Sequence, residues 1–277
     1  MCASLERKHL DGLFSEPYWV CEKTHGTRFL LLVLRWNGLK LVLLVGRNPK
    51  DIFVSPIRRV PRAWYDGTMI DGEVIQNEKT GAWTFIAFDV LTIEGRDLRT
   101  LPFSERYHEL GTAMFHYEPS PKEDKILLKV KKFFALRFIR DCVDHAREVD
   151  VYGFPNDGYI MTPERDPVVP GRHLRMFKFK DPGDATVDFM IGSQDTALFI
   201  NDGRNKPMIH VGYLDKPGPP PGTIVECKIA SFDTGTWSLV RTRPDKTYPN
   251  DRMTFDRTIV NIREQMSIDE IISRASL

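Results

Sequence analysis

Two apolar runs, at 28–36 and 39–45, flank the dipeptide Asn37-Gly38. Asn-Gly accepts the positive φ that a two-residue hairpin loop demands, so this stretch commits the chain to antiparallel strands before any other segment is read. Further strand-like runs at 18–21, 51–54, 68–75 and 83–91 predict a mostly antiparallel sheet in the first half. Apolar residues then recur at three- and four-residue spacing over 104–117 and 136–149 with no proline between them, which predicts two helices. Strands return at 158–161 and 174–180.

Beyond Asp181-Pro182-Gly183-Asp184, which reads as a linker, the pattern changes to short strands separated by turns. They fall at 187–191, 197–200, 208–213, 223–229 and 236–240, a spacing that suits a small barrel such as an OB-fold. The prolines of 217–221 mark a surface loop, and helices are expected at 254–264 and 267–275, the second with Ser267 and Glu270 at capping-box spacing. The expected fold class is α+β. An antiparallel-sheet domain over 1–182 precedes a small OB-fold β-barrel domain over 183–266, and a C-terminal helix, 267–277, is expected to pack back on the first domain.

Composition narrows the function classes. A net charge of +1 means that any nucleic-acid contact must come from a local patch. One candidate is the segment 121–140, where Lys122, Lys125, Lys129, Lys131, Lys132, Arg137 and Arg140 face only Glu123 and Asp124, although a solvated helical face would look the same. The cysteines Cys2, Cys21, Cys142 and Cys227 are scattered without paired spacing, which argues against a disulfide framework or a structural zinc site and for a reducing compartment. The longest apolar runs are interrupted by Arg35 and Asn37-Gly38 too soon to span a bilayer, so a soluble protein with no membrane partner is expected.

The chemistry-bearing residues form a series. Lys23-Thr24-His25-Gly26-Thr27-Arg28 places a lysine at a strand end before a glycine that lets the backbone approach a ligand. Alone this motif is weak, but others follow in order. Asp71-Gly72-Glu73 and Phe88-Asp89-Val90-Leu91 end strands, Asp157-Gly158-Tyr159-Ile160 starts one, and Lys178-Phe179-Lys180 lies on another. Arg243-Pro244-Asp245-Lys246, with Pro249-Asn250 behind it, closes the series.

This ordered series resembles the covalent nucleotidyltransferases, the superfamily of mRNA capping enzymes and ATP-dependent ligases. Capping guanylyltransferases are the nearest match, above all the compact form of large DNA viruses of algae. Capping-type details are Thr186-Val187-Asp188-Phe189, Ile224-Val225-Glu226-Cys227 and the string from Arg243 through Thr247-Tyr248 to Asn250. The resemblance implies that Lys23 attacks the α-phosphate of GTP, releases pyrophosphate, holds GMP through a phosphoramidate and passes it to the 5′-diphosphate end of RNA. It also implies that Glu73 and Arg28 bind the ribose, that Phe88 stacks on the guanine, that Lys131 reads the guanine edge and that Arg47 contacts the nucleotide.

By the same resemblance, Glu73 and Asp157 orient a divalent cation, Mg or Mn, and Lys178 and Lys180, alternating on one strand face, point at the α-phosphate. Arg243, Asp245 and Lys246 orient the leaving pyrophosphate when the barrel closes over the nucleotide. An ordinary lysine titrates at about 10.4, so an amine that attacks at neutral pH needs cations nearby that disfavour the ammonium. Arg28, Lys178 and Lys180 are the candidates.

Two departures matter. Capping enzymes usually carry aspartate where this chain has His25, and one class of RNA ligases carries histidine there. Only twenty-two residues precede Lys23, and neither an RNA triphosphatase nor a cap methyltransferase domain fits in the remainder, so those steps would need separate proteins. The alternatives are an ATP-dependent RNA or DNA ligase and an inactive RNA-binding subunit. The expected location is the nucleus or a viral replication site in the cytoplasm.

Overall fold

The structure is a computed structural model that describes residues 2–48, 50–120, 124–194, 196–203 and 206–276. It divides into two compact units, one built on His9–Phe179 with the chain from Ile271 onward, the other on Lys180–Glu270 with Ser4–Lys8. Lys122 and Glu123 of the expected basic segment lie outside the described residues.

The chain starts with β1 (Cys2–Ser4), α1 (Leu10–Ser15), β2 (Tyr18–Thr24), β3 (Thr27–Trp36), β4 (Leu39–Val45) and β5 (Ile52–Val54). β6 (Thr68–Gln76), β7 (Trp83–Ile93), β8 (Arg96–Asp97), α2 (Phe103–Phe115), β9 (Ile126–Val130) and β10 (Phe134–Ala135) follow. α3 (Ile139–Val151), β11 (Asn156–Pro163) and β12 (His173–Phe179) end this part of the first unit. Two sheets result. One has the order β1-β12-β11-β2-β10; the other runs β5-β4-β3-β6-β7-β8, with β9 also paired to β7.

The hairpin forms as its dipeptide demands: Asn37 and Gly38 take φ of 47° and 79°, and Trp36 pairs with Leu39. Its register places Leu31 and Val33 on the inner face, where they are fully buried with Ile70, Phe85, Trp64 and Leu110. The other sheet contributes Cys21, which clusters with Phe103 and Phe133 and with the half-buried Phe88 and Ile160. That small cluster forms an apolar wall between functional side chains.

The second unit contains β13 (Val187–Ile191), β14 (Ala197–Asn201), β15 (Met208–Leu214), β16 (Ile224–Ser231), β17 (Thr236–Thr242) and α4 (Arg252–Glu264). Its strands close in the order β13-β14-β15-β17-β16 around Val187, Phe189, Leu198, Val225 and Trp237. Asp251 caps α4 by accepting from the Thr254 N–H at 2.8 Å. α5 (Ile268–Ala275) starts with the Glu270 N–H donating to Ser267 Oγ at 3.2 Å, one half of the capping box. The Glu270 carboxylate itself is held by the Arg7 guanidinium at 2.5 and 2.8 Å.

The α+β class holds, but its expected make-up is corrected by these pairings. An antiparallel-sheet domain followed by an OB-fold barrel does not describe the chain as read, because two of its sheets carry a parallel pair. β9 joins β7 in parallel, Trp83 opposite Ile126 through Ala87 opposite Val130, in a segment read only as a basic patch. In the second unit β15 and β17 also pair in parallel, Tyr213 opposite Thr236. A parallel pair needs a crossover between its strands, so nothing local in the sequence announces it.

Candidate functional site

Lys23 is the penultimate residue of β2, and its ammonium projects to a cavity of about 570 Å³ within the first unit. Nζ lies 2.5 Å from Asp157 Oδ1 on β11, and the other carboxylate oxygen of Asp157 is 3.2 Å from His25 Nε2. One carboxylate thus holds both the lysine and the imidazole that follows it by two residues.

The motif glycines have steric causes. A Cβ on Gly26 would lie 2.7 Å from Glu73 Oε2 and 2.9 Å from Glu73 Cβ, so the loop after Lys23 can pass Glu73 only without a side chain. On Gly72 it would meet the Phe85 ring at 2.4 Å and the Ile86 carbonyl oxygen at 2.7 Å. Gly72 therefore lets β6 lie on the core while Asp71 and Glu73 flank it. Gly26→Ala is expected to push Glu73 out of place and slow formation of the nucleotide adduct by about 10²-fold, the scale of a roughly 1 Å misplacement. Labelling with the folded variant measures it; a rate within about twofold of the parent would remove the steric argument.

Glu73 is tied into a buried network. The Lys131 ammonium donates to Thr24 Oγ1 at 2.7 Å and lies 3.1 Å from Glu73 Oε1 and 3.0 Å from Glu22 Oε1, and Thr24 Oγ1 also donates to Glu73. Lys131 is only 4% exposed, so it is not a surface lysine and leaves the expected basic patch. Burial alone would lower its pKa, but the Glu22 and Glu73 carboxylates outweigh it and raise the pKa above the ordinary value. Lys131 is positioned by the parallel strand: it follows β9, and its N–H donates to the Ala87 carbonyl at 2.7 Å.

Arg28 forms a two-point pair with the buried Asp71, Nε to Oδ1 at 2.8 Å and Nη2 to Oδ2, and that bond raises the guanidinium pKa further. Its guanidinium carbon is 6.0 Å from the Phe88 ring centre. Asp89, next to Phe88, is clamped by the buried Arg106 at 2.8 Å to each oxygen, and this fixes the strand that presents Phe88.

Lys23, Arg28, Arg47, Glu73, Phe88, Lys131 and Lys178 all line the one cavity. Asp157 stands one ion pair away. Lys180 does not line it; β12 ends at Phe179, and Lys180 counts with the second unit. Arg243, Asp245 and Lys246 also belong to the second unit, where Arg243 and Lys246 close on the buried Asp188 and Asp245 pairs with Arg243. Arg243 Nη1 donates to Asp188 Oδ1 at 3.0 Å, Lys246 donates to its Oδ2, and the Arg243 guanidinium holds the Asp245 carboxyl down at about 2. Asn250 Oδ1 accepts from the Asp188 N–H at 2.9 Å, which ties the end of the Arg243–Asn250 string to the same strand.

Sequence reading passed over Glu22 and Arg106, and it quoted Thr24 and Asp71 within motifs without giving either a role. The signal for Glu22 was a charge at an inward position of a strand otherwise apolar from Tyr18 to Cys21. Nothing local marked Arg106.

Among the described residues no three His, Cys, Asp or Glu side chains converge to hold a metal ion. Glu73 and Asp157 each already bind a lysine. These donors fit a divalent ion that takes most of its oxygen ligands from a nucleotide triphosphate and water.

A lysine at a strand end, held by a carboxylate beside an aromatic, cation-lined cavity, defines the class: a covalent lysyl nucleotidyltransferase. The mRNA capping enzyme catalytic domain matches residues 2–182, and the capping enzyme C-terminal domain matches 214–272. The chain belongs to the mRNA capping enzyme family. It is similar to the mRNA-capping enzyme subunit alpha of Neurospora crassa, 24% identical over 99% of this chain and 83% of the relative. The Saccharomyces cerevisiae subunit alpha is 24% identical over 94% of this chain and 74% of its own length. A mycobacterial DNA ligase D complexed with ATP and MES shares the fold, with a TM-score of 0.53 and 16% identity over 89% of this chain and 94% of that one. The activity is that of an mRNA guanylyltransferase working through covalent lysyl-GMP. Both of these relatives are fungal and lend the expected viral sub-type no support.

Proposed function

We propose that Lys23 is the residue that carries GMP. The observation behind this reading is the placement of its amine on the cavity wall, 2.5 Å from Asp157 Oδ1. Asp157 orients the amine. In the first step Nζ, once deprotonated, forms a bond to the α-phosphorus of GTP while the bond to the bridging oxygen breaks and pyrophosphate leaves. In the second step an oxygen of the 5′-diphosphate of RNA bonds to that phosphorus, the P–N bond breaks, and the lysine amine is restored by taking up a proton.

Phe88 stacks on the guanine, Arg28 and Glu73 face the ribose, and Arg47 and Lys178 face the phosphates. A divalent cation, Mg or Mn, would be held by Glu73 or Asp157 together with the triphosphate, and would supply charge neutralisation there. Lys131 reaches the guanine edge only from within its carboxylate network.

Incubation with labelled GTP or ATP and a divalent metal tests the reading. Label from GTP alone, transferable to diphosphate-ended RNA, is the expected result. Label from ATP alone would return the chain to the ligase alternative.

A further inference from the structure

A second cavity, of about 430 Å³, opens at the end of the β3-β6-β7 sheet and is lined by His25, Thr27, Gln76, Asn77, Trp83 and Pro155, among others. It lies wholly within the first unit. No nucleotide role falls to these residues, and the cavity shares no lining residue with the first one. Yet the two are linked through a single side chain. His25, on the wall of the second, lies 3.2 Å from Asp157, whose other oxygen holds the Lys23 ammonium at 2.5 Å.

The lining sorts into scaffold and contact surface. Asn77 is spent on structure: its Oδ1 accepts from the N–H groups of Lys79 and Thr80 at 3.0 and 2.9 Å, and its Nδ2 donates to the Tyr152 carbonyl at 2.7 Å. Gln76 Nε2 donates to the Gly81 carbonyl at 3.0 Å, which holds the turn between β6 and β7. Trp83 is different. It opens β7, opposite Gln76, with 45% of its surface exposed, so its indole is not needed for the core. An exposed indole in a polar recess, with an imidazole in the same lining, suits a flat, polar, π-bearing ligand.

Positive charge stands at the margin. The Lys129 ammonium lies 5.5 Å from the ring centre of Phe154, the neighbour of the cavity residue Pro155, and Lys79 follows Glu78 on the exposed turn. Glu78 also lines the recess, so a phosphate there would be repelled, whereas a base with exocyclic amino groups would not. This division of charge fits single-stranded RNA, its base inside and its backbone running past the lysines.

We propose that this second cavity is the acceptor site, in which a base near the 5′ end of the RNA stacks on Trp83 and His25 lines the way to the phosphoramidate on Lys23. The proposal rests on the guanylyltransferase reading above. It requires that the 5′-diphosphate reach Lys23 past His25 and Asp157, the two side chains that join the second cavity to the lysine amine. Trp83 is then a binding residue for the second substrate alone.

The two half-reactions separate the proposal from the reading beneath it. Adduct formation from GTP needs no RNA, and transfer from the preformed adduct needs no GTP. Trp83→Ala is expected to form the GMP adduct at a rate within about twofold of the parent and to need roughly 10-fold or more diphosphate-ended RNA for half-maximal transfer, the range of one lost base–aromatic stack. Trp83→Phe should recover most of this. Unchanged RNA dependence in Trp83→Ala, with adduct formation intact, overturns the acceptor site while leaving the enzyme reading in place. No adduct in the parent protein overturns that reading instead. Should Trp83→Ala form adduct poorly, quenching of the parent's tryptophan fluorescence by a short 5′-diphosphate oligonucleotide decides, and quenching that persists in Trp83→Phe overturns the assignment.

Discussion

Lys23→Ala forms no labelled protein from GTP, a fall of at least about 10⁴-fold, while its melting temperature stays within a few degrees of the parent. The size follows from the role: with no amine there is no P–N bond, and no neighbour can supply one at the same place. Lys178 lines the same cavity but sits on another strand. Folding should tolerate the change, because the Lys23 side chain is a quarter exposed and its pair with Asp157 is open to solvent screening. Lys23→Arg keeps the charge and is expected to be equally inactive, since a guanidinium stays protonated. Any adduct retained at more than about one hundredth of the parent level would move the nucleophile elsewhere.

Lys131→Met is expected to be the most damaging substitution for stability. It leaves Glu22 and Glu73 facing each other without their shared cation, in a place where Glu22 is 4% exposed and its Oε2 has no hydrogen-bond partner. Removing one member of a buried ionic group costs about 3–5 kcal/mol, because the remaining charges stay buried. In a unit of this size that lowers the melting transition by roughly 6–20 °C. Adding Glu22→Gln to Lys131→Met should recover part of the loss, since one orphaned charge is then gone. A melting temperature unchanged in the single variant would mean that the three groups are not coupled.

Much of the fold could be read because its signals are local. Asn37-Gly38 dictates a tight hairpin, and the alternation around it sets which of Leu30 to Leu34 face inward. The helices α2 and α3 follow from apolar spacing, with ends displaced by one to three residues from those expected. β9 escaped because its evidence is remote. Ile126–Val130 stands among lysines, and among the described residues its strand partner is β7, with α2 lying between them in sequence.

The site divides along the same line. Lys23, Glu73, Phe88 and Lys178 were legible as motif residues, and they do line one cavity. The functions of Glu22 and Asp71 were not, because each acts through a partner distant in sequence: Lys131 for the first, Arg28 for the second. Lys131 shows the limit from the other side. Its short motif pointed at a ligand, and its burial among two carboxylates could not be inferred from a segment that looks like a charged surface.

The amino-acid sequence by itself determined the lysine proposed to carry GMP, the glycines around it and the alternation of the strands, since each depends on residue type and spacing along a few consecutive positions. Only the tertiary structure decided what surrounds that lysine. Asp157 was in hand as a motif residue, but its sharing between Lys23 and His25 depends on β11 pairing with β2, Asn156 opposite Thr24. The buried network at Lys131 likewise depends on β9 joining β7 in parallel. Charges that meet across strands are set by register between distant segments, and register is a property of the packed sheets rather than of any one stretch of chain.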